Sequence, residues 1–312
     1  MSHITAGDIS PLYETTEPTY AEPAGGVTSY YADLKGDSGS FTPTDNPNMN
    51  IAWRHGSRAF NVADNVPTCL DAGYSDVVEV RDAEGWEKII KYAIGDDGTT
   101  AGTPRLKSRS TELLVKESSG QEGLMYIGCK TDRLEIRADQ PGGIVEFNET
   151  VLAAYSRIRQ HSTRPEYDPP VALSTFPALQ WMNGVTIGGS LAIYPQNFRI
   201  SINNNLGRVR GWDELIGISR TVELPEGRLE MEMEMDVWRE DLGQIVLAPT
   251  GDPGATMAQT IKLTLGTRNP KELNIYAVPK LDGQYSSIIQ DKQMETLRFR
   301  IESLYLETPE SS

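Results

Sequence analysis

The stretch Arg228–Trp238, RLEMEMEMDVW, constrains the fold more than any other part of the chain. Leu229, Met231, Met233, Met235 and Val237 share one parity, and Glu230, Glu232, Glu234 and Asp236 share the other. A period of two puts the apolar set on one face of a strand and the four carboxylates on the opposite face. Met and Glu favour helices as single residues, but a helix would scatter both classes around its whole circumference. The pattern therefore predicts a strand with a core face and an acidic face. Four like charges on one strand face cost stability unless water or basic neighbours relieve them. From the alternation alone, that face is either a solvated sheet surface or a surface with a task.

The 312 residues suffice for one large β domain or two smaller ones. Lys and Arg number 29 against 44 Asp and Glu, a formal net charge of −15. That balance argues against a nucleic-acid binder working by charge attraction and against an anionic membrane partner. It leaves room for a protein that encloses DNA without gripping it. Cys69 and Cys129 are the only cysteines, so nothing suggests a disulfide-stapled secreted scaffold. No apolar run approaches the roughly 18 to 20 residues that span a bilayer, and no basic-then-apolar leader pattern opens the chain. A soluble, unprocessed protein is expected.

Residues 1–50 are poor in aliphatic side chains, and Pro11, Pro18, Pro23, Pro43 and Pro47 oppose a long regular element. Tyr13, Tyr20, Tyr30, Tyr31 and Phe41 supply contact area suited to an interface. An arm ordered against a neighbouring subunit and a disordered tail both fit this composition. Pro67-Thr68 predicts the start of a short helix running to Ala72, stopped by Gly73. Asp76–Arg81 reads as a short strand. Asp82 is placed to cap a helix through Tyr92, with Trp86, Ile89, Ile90 and Ala93 on one side.

Residues 95–103 form a loop by composition, and Arg105–Lys116 reads as a polar strand. From Gly123 the pattern is β: Leu134, Ile136 and Ala138 alternate with charged residues. A turn at Pro141-Gly142-Gly143 then leads to a returning strand over Ile144–Thr150. Residues 156–180 read as a proline-rich crossing loop. Phe198, Ile200 and Ile202 alternate with Arg199, Ser201 and Asn203, and Asn203-Asn204-Asn205 suit a tight turn out of the sheet. Arg220–Leu224 and Arg228–Trp238 are expected to form a hairpin through Pro225-Glu226-Gly227. Thr260–Leu265, Leu273–Val278 and Leu297–Ile301 supply further strands. The whole predicts a mainly antiparallel β protein with one or two short helices.

Catalytic and metal chemistry find no support. His3, His55 and His161 have no partner at ligand spacing, and Cys129 lacks a CxxC companion. No GxSxG, P-loop, HExxH or Rossmann glycine pattern occurs. Gly184, Gly188 and Gly189 sit at strand boundaries and suit turns rather than phosphates. Pairs such as Asp132 with Glu135, or Asp96 with Asp97, arise by chance among 44 acids. Met231, Met233 and Met235 read as deformable core filling. No enzyme activity, cofactor or metal is expected.

Three segments in order carry a family resemblance: IGCKTDRLEIRADQPGGIVEFNETV (127–151), MNGVTIGGSLAIYPQNFRISINNNL (182–206) and ISRTVELPEGRLEMEMEMDVW (218–238). Together they resemble the major tail tube protein of long-tailed bacteriophages and archaeal tailed viruses. TEPTYAEPAGG (16–26) resembles the short opening segment of such proteins. The likeness covers residues 120–240 well, the N-terminus loosely and the last 70 residues hardly at all.

The resemblance implies an antiparallel β-sandwich or half-barrel tail tube module with extended arms and loops. Residues 1–50 would be an extended N-terminal arm, 51–301 the tube domain with an inserted outer subdomain near 60–115, and 302–312 a C-terminal tail. Subunits would form stacked rings, usually hexameric, or trimeric with pseudo-sixfold symmetry if the chain holds two modules. The implied partners are further copies of the chain, a tape measure protein, tail terminator and distal tail proteins, and viral DNA passing without specific binding; no membrane is involved. The protein would belong to the virion tail and be made in the host cytoplasm.

An acidic wall repels phosphates and prevents trapping of DNA during ejection, which assigns Glu230, Glu232, Glu234 and Asp236 to the lumen. Gly128, Gly188 and Asn203, Asn204 and Asn205 would be structural turn or interface positions. The alternatives are a distal-tail or baseplate hub ring protein, which shares the module without polymerising, and a carbohydrate-binding β-sandwich.

Overall fold

The computed structural model describes residues 9–16, 20–21, 32–34, 42–43, 46–51, 65–80, 82, 86–95, 105–117, 120–161, 177–187, 190–191, 195–213, 218–239, 259–279, 285–289 and 292–308. These form nineteen strands and one helix. The first group is β1 (Ile9–Thr16), β2 (Ala32–Leu34), β3 (Thr42–Pro43), β4 (Asn46–Ile51), β5 (Asn65–Val80) and α1 (Lys88–Ile94). Next come β6 (Arg109–Glu117), β7 (Gly120–Ala138), β8 (Glu146–Ala153), β9 (Tyr155–His161), β10 (Trp181–Ile187) and β11 (Ser190–Leu191). Then follow β12 (Pro195–Asn203), β13 (Val209–Asp213), β14 (Ile218–Glu223) and β15 (Glu230–Arg239). The last are β16 (Gln259–Leu265), β17 (Lys271–Pro279), β18 (Tyr285–Ile289) and β19 (Lys292–Glu307).

One antiparallel sheet organises the molecule, in the spatial order β5–β8–β7–β12–β15–β19–β17–β16–β10. It curls into a half-barrel. The chain entering β10 returns to the opposite side, where Trp181 N donates to Gly143 O (3.0 Å), Val145 N to Leu179 O (2.9 Å) and Leu179 N to Val80 O (2.7 Å). Sheets curl readily because strands twist with one hand, and curling covers edges that would otherwise pair with other chains.

The concealed face is apolar in register. Phe147, Ile136, Ile200, Met233 and Phe299 lie opposite one another across β8, β7, β12, β15 and β19, and all are buried. Burial of one such side chain stabilises by about 1.5–3 kcal/mol relative to exposure, so this row is a large part of what holds the sheet curled. Ile89, Ile90, Ala93 and Ile94 of α1, with Trp86, complete the same core.

β7 serves two sheets. Its first half pairs with β6 and β9, its second with β8 and β12. The change of direction falls at Gly128, whose φ is +68° and whose hypothetical Cβ would stand 2.8 Å from that of Ala154. Only glycine meets both conditions without strain.

Several expectations need correction. Pro67–Ala72 is not helical but part of β5, which pairs with β4 as far as Asp71 and with β8 from Ala72 onward. Ladder bonds outweigh a weak local helix-start signal, and Pro67 falls at an irregular register where a missing N–H is tolerated. Asp82 does not cap α1, which starts after Glu87 without a side-chain cap. Instead the buried Asp82 carboxylate accepts the backbone N–H groups of Thr267, Arg268 and Asn269 (2.6, 2.5 and 2.9 Å), pinning the β16–β17 turn.

The expected hairpin of 220–224 with 228–238 does not form. β14 pairs with β13 and, in parallel, with β5, whereas β15 lies between β12 and β19. Residues 224–229 cross from one sheet to the other, held by Gly227 N to Asn204 O (3.1 Å) and Lys130 Nζ to Leu224 O (3.2 Å). Tyr155–His161 is strand rather than loop. Residues 302–307 continue β19 rather than starting a tail. The described parts of 1–50 pair within the chain, β1 with β6 and β2 to β4 with β5.

Candidate functional site on the polar face of the main sheet

In β15 the two parities separate. Met231, Met233, Met235 and Val237 are buried, while Glu230 and Glu232 are exposed and Glu234 and Asp236 half-buried on the other face. Strand alternation then carries the polar face across the neighbours. One cross-strand row reads Glu146, Arg137, Arg199, Glu234, Arg298, and the next reads Asn148, Glu135, Ser201, Glu232, Arg300.

The acidic strand is thus flanked by arginine-bearing strands, and the face is a charge lattice rather than a uniform acidic wall. Arg298 reaches Glu234 Oε1 through both Nε and Nη2 (3.2 Å each). Arg137 holds Glu146 Oε2 at 2.7 Å through Nη2, and this bond raises the Arg137 pKa above its ordinary value. Arg199 pairs with Glu135. Asp236 accepts from Asn197 Nδ2 (2.8 Å) and from the Thr296 hydroxyl (2.6 Å). Among the described side chains of these five strands carboxylates hold a small majority, with Glu135, Glu146, Glu230, Glu232, Glu234, Asp236 and Glu302 beside Arg133, Arg137, Arg199, Arg298 and Arg300.

A trough of about 550 Å³ opens on this face, lined among others by Arg133, Glu135, Asn148, Thr150, Ser201 and Asn203. At and just beyond the end of β12 the three asparagines take different parts. Asn203 Oδ1 accepts the N–H of Asn205 (3.1 Å), a local turn bond. Asn204 is buried and its Nδ2 donates to Ala93 O (2.8 Å) and Thr131 O (2.9 Å), tying the end of β12 to α1 and β7. Asn205 adopts φ +49° and donates to Arg228 O (2.8 Å), which aligns the start of β15. Gly128 lies at the β7 bend, away from this face, and Gly188 lies outside the described residues.

Sequence reading expected basic neighbours without placing them, and it missed a buried cluster behind the trough. The signal for Arg298 and Arg300 was present, since they alternate with Leu297, Phe299 and Ile301. No local pattern marks the cluster. In it Arg109 Nη2 lies 2.8 Å from Glu149 Oε2, Thr131 Oγ1 donates to Glu149 Oε1 (2.6 Å), and the guanidinium stacks 4.7 Å from the Tyr92 ring centroid. Among the described residues no group of three His, Cys, Asp or Glu side chains is placed to hold a metal. Among them, too, no helix is long and apolar enough to cross a membrane.

Comparison with known families finds that the model for a family described as phage tail tube protein matches residues 13–279. No curated protein matches the chain.

Proposed function

The chain belongs to the phage tail tube protein family, and from that premise we propose that its subunits assemble into stacked rings whose charged sheet faces line a DNA conduit. The protein is accordingly a structural component of the viral tail. Six copies per ring is the proposed stoichiometry. Synthesis in the host cytoplasm and contacts with tape measure, terminator and distal tail proteins belong to the same reading.

The observation that carries the lumen assignment is the strict division of β15. Its methionines fill the half-barrel core, leaving Glu230, Glu232, Glu234 and Asp236 on the opposite, polar face of the sheet. A wall with surplus carboxylate repels the phosphate backbone at short range, while the paired arginines keep self-repulsion within the ring low. Negative-stain microscopy of concentrated purified protein tests the assembly. Long hollow rods support it; isolated rings favour a hub role, and dispersed monomers at high concentration contradict it.

A further inference from the structure

Five arginines stand on the central strands of the polar face, an awkward composition for a wall that DNA must pass. A free guanidinium is a bidentate phosphate ligand, and several in a row would hold a duplex strongly at low salt. The register makes matters worse, for Arg137 lies directly opposite Arg199. Like charges so placed repel.

The side chains resolve this by turning apart. Arg137 turns to Glu146 on β8, Arg199 turns diagonally to Glu135 on β7, and Arg298 takes Glu234 on β15. The acids sit deeper than the cations in the first two pairs: Glu146 and Glu135 are 18% and 21% exposed, against 43% and 57% for Arg137 and Arg199. The carboxylates are seated in the sheet, and the guanidiniums lie over them.

Resting on the lumen reading above, we infer that Glu135, Glu146 and Glu234 are positioning residues that occupy the guanidinium forks of Arg199, Arg137 and Arg298 and so withhold them from the phosphates of passing DNA. Exposed ion pairs contribute little to folding stability, so their value here is local occupancy. A phosphate must displace a carboxylate held beside its arginine at high effective concentration. The acids of this face then act in two ways, by repulsion at a distance and by blocking particular cations at contact.

The test uses a fluorescein-labelled DNA duplex and the full-length protein, free and assembled, with anisotropy read over a salt series. The Glu135→Gln/Glu146→Gln variant is expected to bind the duplex at least about tenfold more tightly than the unaltered protein. Two freed arginines should steepen the log–log salt dependence by about two. Adding Arg137→Gln and Arg199→Gln should abolish the gain. If the double variant melts early, Glu234→Gln, at the most exposed of the three carboxylates, serves in its place with a slope change of about one.

A folded variant that binds DNA no better than the unaltered protein overturns the inference, as does a gain that survives removal of the arginines. A gain in free subunits accompanied by DNA decorating the outside of assembled tubes supports the pairing but overturns the lumen reading. The two failures are therefore distinguishable.

Discussion

The guanidinium of Arg109 lies 2.8 Å from the carboxylate of Glu149, and both side chains are buried where β7 passes from one sheet to the other. Thr131 and Tyr74 add hydrogen bonds, and the Tyr92 ring covers the cation. Removing one member of a buried pair strands the other charge, which costs about 3–5 kcal/mol. Arg109→Met or Glu149→Gln alone should therefore lower the unfolding free energy by about 3 kcal/mol or more in denaturant titration. The double change Arg109→Met/Glu149→Leu should cost less than the sum of the two single changes. Single variants as stable as the parent would show that the pair does not brace the bend.

Asn204 and Asn205 should behave differently despite being neighbours. Asn204→Ala leaves the buried carbonyls of Ala93 and Thr131 without this donor and should destabilise by about 2 kcal/mol. Asn205→Gly keeps the positive φ accessible and should change stability by less than about 1 kcal/mol, whereas Asn205→Val should be worse than Gly because a β-branched residue resists that conformation. Thermal melts of the three variants check the order. Equal melting of the Asn204→Ala and Asn205→Gly variants would contradict the assigned roles.

The two faces of β15 predict opposite outcomes for one kind of substitution. Met233→Lys places an unpaired charge in a row of buried side chains and should unfold the subunit or lower stability by more than about 3 kcal/mol. Glu232→Lys, on the exposed face, should shift stability by no more than about 1 kcal/mol. Circular dichroism melts of both decide this. A tolerated Met233→Lys would mean that the methionine row is not the core.

What was legible in the chain follows from the range of the interactions. Strict alternation in β15, and the paired apolar and charged positions of β12, β16 and β17, are local patterns with a period of two, and those strands form where the pattern places them. The half-barrel class follows from many such strands and from the family likeness. The misreadings fall where a distant partner overrides a local signal. Asp82 looks like a helix cap until the turn at 267–269 arrives to take its carboxylate. Pro67–Ala72 looks like a helix start until β4 and β8 pair with the strand. Gly227 looks like a hairpin turn, yet its N–H goes to Asn204 and the chain crosses between sheets. For the polar face, the acids were visible as a run, but the arginines that answer them come from strands distant in the chain and are brought alongside only by register.

Which way the acidic parity of β15 faces decides whether this sheet lines the DNA conduit. A cryo-electron microscopy reconstruction of the assembled tube, at a resolution that places side chains, tests it most directly. Glu230, Glu232, Glu234 and Asp236 are expected on the lumen wall, with Arg199 and Arg298 beside them and Met231, Met233 and Met235 inside the subunit. A reconstruction in which those four carboxylates point to the outer surface of the tube, or into the subunit interior, would contradict the lumen assignment.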